Sequence, residues 1–249
     1  MKRFWILTKG LFLIHIRNRM VLFWNMVFPV FLLVIYSLIF GSMQVDGQSY
    51  LSWVIPGVVV LNILAFGLMA SSTTLVNMRE TRVLLHLSTT PVPARELVGA
   101  FILINVLIAF IQSGLILVAA VFIIDYSISL EGLLRAVPMI LLAILTSVAL
   151  GQIISGVASK VAVAAALGQL FYFSQMFITD MVIPVNQMPE WLQNIVRYFP
   201  GYAITQLVRP PLLTGEWGAG AWMPLLLVAF YVLAGAAVSA LLFRWAPKN

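Results

Sequence analysis

Residues 78–96 read MRETRVLLHLSTTPVPARE, between two long apolar runs. The 249-residue chain carries 14 Lys+Arg and 8 Asp+Glu, and five of those charges (Arg79, Glu80, Arg82, Arg95 and Glu96) fall in this one stretch. Read as a helix, it sets Arg79, Arg82, His86 and Thr89 on one face and Leu84 and Leu87 on the other, beside Val83, and Pro91 and Pro93 stop it. The spacing therefore predicts a short amphipathic helix over 78–94, either meeting a soluble partner with its polar face or merely connecting its two neighbours.

Those neighbours decide the class. Hydrophobic residues make up 62% of the chain and charged residues 9%, against roughly 45–50% and about 25% in a soluble domain. The expected fold is an all-α polytopic membrane protein forming a single transmembrane domain over 1–249. A span needs about 20 mostly apolar residues, and six runs qualify: near 21–41, 51–76, 97–124, 133–157, 161–182 and 222–243. With both termini on the cytosolic side, Arg135, Arg197 and Arg209 are the only ones of the 14 basic residues left outside, as the positive-inside rule requires. The net charge of +6 is thus an orientation signal, and nucleic acid is not expected as a partner.

Two flanking segments have their own character. Residues 1–19 place Lys2, Arg3, Lys9 and Arg17 on one arc and Phe4, Leu7, Leu11 and Ile14 on another, which reads as a helix in the membrane surface or as a plain basic flank to the first span. The internal charges break any signal-peptide core. Residues 183–221 form a long outer connection, with a pair of short helices at the outer membrane surface expected over 183–212. Trp191, Leu192, Ile195 and Val196 share a helical spacing there, Phe199-Pro200-Gly201 breaks it, and a second short helix is expected from about Tyr202 to Val208, before Pro210-Pro211. An ordinary loop is the alternative.

Chemistry of its own is not expected of this chain. There is no cysteine, the two histidines (His15 and His86) lie outside the spans, and no metal-ligand cluster or catalytic Ser-His pair can be assembled. No G-x-x-x-x-G-K-[ST] phosphate loop occurs. The spans hold almost no ionisable residues, Asp180 near the end of the fifth being the best candidate for an ion-coupling acid or a simple cap on the turn that follows.

Taken in order, several runs resemble the ABC-2 type transporter permeases. Arg79-Glu80, Val83-Leu84, Leu87 and Thr90-Pro91-Val92-Pro93 are similar to that family's run after the second span. Ile183-Pro184, Met188-Pro189-Glu190-Trp191-Leu192, Phe199-Pro200 and Tyr202 resemble its outer re-entrant helical pair. The basic N-terminal helix, Asn25 to Pro29 and Phe40-Gly41 resemble its start. One departure is Arg82, where the family commonly has glycine.

The resemblance implies the permease subunit of an ATP-driven exporter in a bacterial or archaeal cytoplasmic membrane, multi-pass, with both termini cytosolic. Its partners would be an ABC ATPase subunit, a second permease chain (identical or not) and membrane lipid. ATP and Mg would be bound by the ATPase, and no cofactor by this chain. The helix over 78–94 would be the coupling helix, with Arg79, Glu80 and Arg82 making polar contacts, Leu84 and Leu87 anchoring it and Pro91 fixing the turn. The outer motif would rest on Pro184, Pro189, Trp191 and Pro200. Asn62, Phe66, Gln169, Phe173, Gln175 and Met176, in the second and fifth spans, would line the path of a drug-like or lipid-like cargo; the amides can equally act as glue between helices. An ion-coupled secondary transporter remains the alternative.

Overall fold

A computed structural model describes residues 2–17, 19–45, 48–89, 93–218 and 220–242. The order is α1 (Lys2–Arg17), α2 (Arg19–Phe40), a two-residue ladder of β1 (Gln44–Val45) and β2 (Gln48–Ser49), α3 (Tyr50–Ala65), a π-helical turn (Phe66–Ser71), α4 (Ser72–Glu80), α5 (Val83–Ser88), α6 (Ala94–Ile124), α7 (Leu130–Val157), α8 (Val161–Ile178), α9 (Glu190–Val196), α10 (Pro200–Thr214) and α11 (Trp222–Leu242). Among the described residues, five helices are long and apolar enough to cross a bilayer: Tyr50–Glu80, Glu96–Ile124, Leu130–Val157, Val161–Ile178 and Trp222–Leu242. Helix α2 has 22 residues with Pro29 inside it, and its segment Val27–Phe40 is apolar.

The expected second span is too short. Nothing in STTLVNMRE breaks a helix, so α3, the π turn and α4 run on as one rod of 31 residues. At 1.5 Å per residue that is roughly 46 Å, well beyond the ~30 Å hydrocarbon core. The rod takes Met78, Arg79 and Glu80 with it, and the expected helix over 78–94 shrinks to the six residues of α5. Pro91 lies outside the described residues.

This rod is the centre of the fold. Val54 to Leu61 are all buried, with α2, α6, α7, α8 and α10 packed around it. The closest approach is backbone on backbone: a Cβ built on Gly151 of α7 would stand 1.9 Å from the Gly67 carbonyl oxygen in the π turn. Only glycine admits that distance, and with no hydrophobic effect between helices in lipid, such contact is what holds spans together. The hydroxyls of Ser72, Thr73 and Thr74 donate to Leu68 O (2.6 Å), Met69 O (2.6 Å) and Ala70 O (2.7 Å), occupying carbonyls at the π turn.

The outer connection also departs from expectation. Pro200 opens α10 rather than ending a preceding helix, and α10 runs through Pro210 and Pro211 to Thr214, ending at Gly215 with φ +76°. Proline reads as a stop in water, but inside a packed membrane protein the freed carbonyls find other partners. Helix α10 sits against α3, α7 and α11. Of α9, only Val196 is buried; Trp191 and Ile195 are exposed.

Candidate functional site

The C-terminal end of the rod divides the charge cluster in two. Arg79 is 1% exposed. Its Nη1 donates to Ser155 O (3.0 Å) and Ala158 O (3.4 Å), at the C-terminal end of α7. Those carbonyls have no partner within α7 and carry the negative end of its dipole, so a guanidinium is well matched to them. Arg79 thus faces the body of the protein, whereas the single-helix reading put it on one face with Arg82 and His86. Glu80, Arg82 and His86 are exposed. The phase is broken at Arg82, which has φ 59° and ψ 14°, a left-handed conformation. Among the described residues only Asp125 shares a positive φ without being glycine. This is the position where glycine was the expectation, and the geometry gives the reason.

Beyond Arg82 the chain turns into α5. Leu84 is fully buried and Leu87 packs against the core, while Val83 and Leu85 are 40% and 37% exposed. His86 contacts Arg82 O through Nδ1 (2.8 Å), and its backbone N–H donates to the same oxygen (2.9 Å). The turn is thereby stapled, and α5 presents Val83, Leu85 and His86 outward.

A cleft of about 590 Å³ opens between α2, the rod and α8. Asn62 lines it, with Met69, Thr73 and Asn77 from the rod, Phe28 and Pro29 from α2, and Val161 and Tyr172 from α8. The Asn62 Oδ1 is buried without a hydrogen-bond partner. The other five expected path residues are elsewhere. Phe66 is buried in the core; Gln169 and Phe173 are exposed on the outside of α8; Met176 packs against the core. Gln175 is buried, its Oε1 accepting from Gly201 N (2.8 Å), so it glues α8 to α10. It also borders a second groove, of about 730 Å³, between α7, α8, α9 and α11. Thr73 and Asn77, one turn apart, are not among the residues expected from the sequence; their spacing with Asn62 and Met69 along one helical face is the signal for them.

At the opposite end of the rod, Asp180 is bonded to three residues. Oδ1 accepts from Val185 N (2.9 Å), Oδ2 accepts from Gln206 Nε2 (3.1 Å), and Oδ2 pairs with Arg209. Arg209 also donates to the Asp180 carbonyl and lies 4.0 Å from the ring centroid of Trp53, a cation–π contact. Residues of α3, α10 and the end of α8 thus meet at one buried ion pair. Nearby, Tyr126 donates to Leu212 O (2.8 Å), and burial pushes its phenol above the usual range, keeping it a donor. Of the outer-motif prolines, Pro184 is buried and Pro189 exposed; Pro200 is half-buried.

Comparison with known proteins gives two results. The family model described as ABC-2 type transporter matches residues 2–213. The Bacillus subtilis (strain 168) protein named "Putative transport permease YvfS" is 21% identical over 207 residues, covering 83% of this chain and 79% of that protein.

Proposed function

This chain belongs to the ABC-2 type transporter family, and from that premise we propose that it is the transmembrane permease subunit of an ATP-driven exporter. It crosses a bacterial or archaeal cytoplasmic membrane six times, by α2 and the five long helices, with both termini cytosolic. A separate ATPase subunit binds beneath it and holds the ATP and Mg²⁺; a second permease chain, identical or related, completes the path. The reading is carried by α5: a short stapled helix beyond the inner end of the central rod, with Val83, Leu85 and His86 exposed and Leu84 seated in the core. Such a helix can insert into a groove of a soluble partner while remaining fixed to the membrane body.

The cleft beside Asn62 is the candidate path. Among the described residues no charged side chain lines it, which favours an uncharged or amphiphilic cargo such as a drug or lipid over an anion held deep in the spans. Helices α2 and α8 leave Phe28, Phe31, Phe171 and Phe173 exposed and are where the second permease chain would pack. The bonds of Asp180 to Val185, Gln206 and Arg209 support a structural role for it over ion coupling.

The test is gentle extraction of the native protein and identification of what co-purifies. An ATPase with a phosphate loop that is lost on Val83→Asp, while the permease still inserts, is the expected result. A protein that repeatedly comes out alone refutes the reading.

A further inference from the structure

The inner end of the rod contains a connection that α5 alone does not explain. Arg79 is held at both ends. Its own carbonyl accepts from Arg82 N (3.1 Å), the left-handed residue from which α5 departs. Its guanidinium grips Ser155 O and Ala158 O. Ala158 begins the turn into α8, whose first residue, Val161, lines the cleft together with Ala165 one turn on. A short series of bonded groups therefore leads from the exposed helix to the cleft wall: α5, Arg82, Arg79, Ala158, Val161. The guanidinium suits this link, because its Nη1 alone reaches two carbonyls of one helix end and the group keeps its charge when buried.

We propose that Arg79 is a positioning residue that makes the α7–α8 turn follow α5, so that movement imparted to α5 by the ATPase reaches the α8 wall of the cleft. The inference rests on the transport-subunit reading above and adds the route by which energy enters the path. Without the guanidinium, α5 still docks and still moves, but the turn is released from it.

The chain has no cysteine, so single thiols report cleanly. Ser159→Cys marks the turn and Thr81→Cys marks the approach to α5. In membrane vesicles holding the permease with its co-purifying ATPase, maleimide labelling is timed without nucleotide, with ATP and Mg²⁺, and with ATP, Mg²⁺ and vanadate. With Arg79 present, both thiols change rate with nucleotide by about fivefold or more, the lower end of ordinary coupling. With Arg79→Met, the Thr81→Cys response persists and the Ser159→Cys response falls to less than about twofold, while the ATPase stays bound. Arg79→Lys recovers part of the response, since an ammonium also suits a helix C-terminus; it serves as the test variant should Arg79→Met not accumulate. A Ser159→Cys response that survives Arg79→Met with the Thr81→Cys response overturns the inference and leaves the transport reading standing. No response at either thiol with Arg79 in place overturns both.

Discussion

Neutralising Asp180 separates a structural ion pair from a coupling acid. Asp180→Asn keeps an oxygen for Val185 N but leaves the Arg209 guanidinium, 6% exposed as a residue, without its counter-charge. Breaking a buried pair from one side costs about 3–5 kcal/mol. Arg209 keeps two other contacts, the Asp180 carbonyl and the Trp53 ring, the latter worth up to about 2 kcal/mol when desolvated. The loss should therefore fall near the lower figure, about 3 kcal/mol. For a chain of this size that is roughly 6–12 °C in the midpoint of thermal loss, read as the monodisperse fraction of detergent-extracted protein after heating. Adding Arg209→Met removes the stranded charge, and the double variant should be more stable than the single one, the remaining cost being the Gln206 bond, the Asp180 carbonyl bond and the Trp53 contact. A single variant as stable as the parent would refute this reasoning and return Asp180 to the role of a titrating, coupling carboxylate. So would a double variant no better than the single.

Three further expectations follow from local geometry. Gly151→Ala must part α7 from the rod by about 1.5 Å, at about 1–3 kcal/mol or more; Gly114→Ala on α6, where a Cβ meets nothing within 4 Å, should stay within about 1 kcal/mol of the parent. The same thermal assay compares them, and equal behaviour would mean that the rod and α7 are not in backbone contact. At Arg82, glycine should retain ATPase co-purification while valine, which pays about 1–3 kcal/mol for the left-handed conformation, should lose it; the reverse order would assign the residue's value to its guanidinium. A thiol at exposed Glu190 should react with an impermeant reagent added outside intact cells and one at Thr81 only after lysis, and the opposite pattern would invert the topology.

Helix positions within the apolar runs were largely legible. The expected runs 97–124, 133–157, 161–182 and 222–243 correspond to α6, α7, α8 and α11 with ends within about four residues. Three things were not legible, each for a physical reason. The expected second span ends at residue 76, where polar residues follow, whereas helix length is set by breakers, and none lies between Ser72 and Glu80. Helix α10 continues through Pro210 and Pro211, which end a helix in water but not in a packed membrane protein. The charge cluster does not share one face, because a single left-handed residue, Arg82, resets the helical phase. Long-range pairings left still less trace: Asp180 and Arg209 are 29 positions apart, and no periodicity links an acid at the end of one helix to a base on another. The cleft-lining Thr73 and Asn77 were masked by the same feature, since a span with polar residues near its end resembles a span that is ending.

Among the described residues the two most buried arginines sit at opposite ends of the central rod, Arg79 on its last turns and Arg209 over Trp53 near its start. Each ties the rod to a different helix: α7 at the last turns, α10 near the start. In a low-dielectric interior such charges are held only where their partners are fixed, so neither end of the rod can shift without carrying its neighbour or breaking an ion-backed contact. Between these ends lies the π turn, with its hydroxyls bonded to the Leu68, Met69 and Ala70 carbonyls and its glycine against α7. A π turn with vacant carbonyls would be a hinge. With those carbonyls occupied and the backbone braced by Gly151, the turn is stiffened, as the proposed transmission of a push from α5 requires. The cluster of charge in the greasiest of sequences is then two devices side by side: one arginine buried to bind the rod to its neighbours, and a left-handed turn after it that sets a small helix outside, where a soluble partner can reach it.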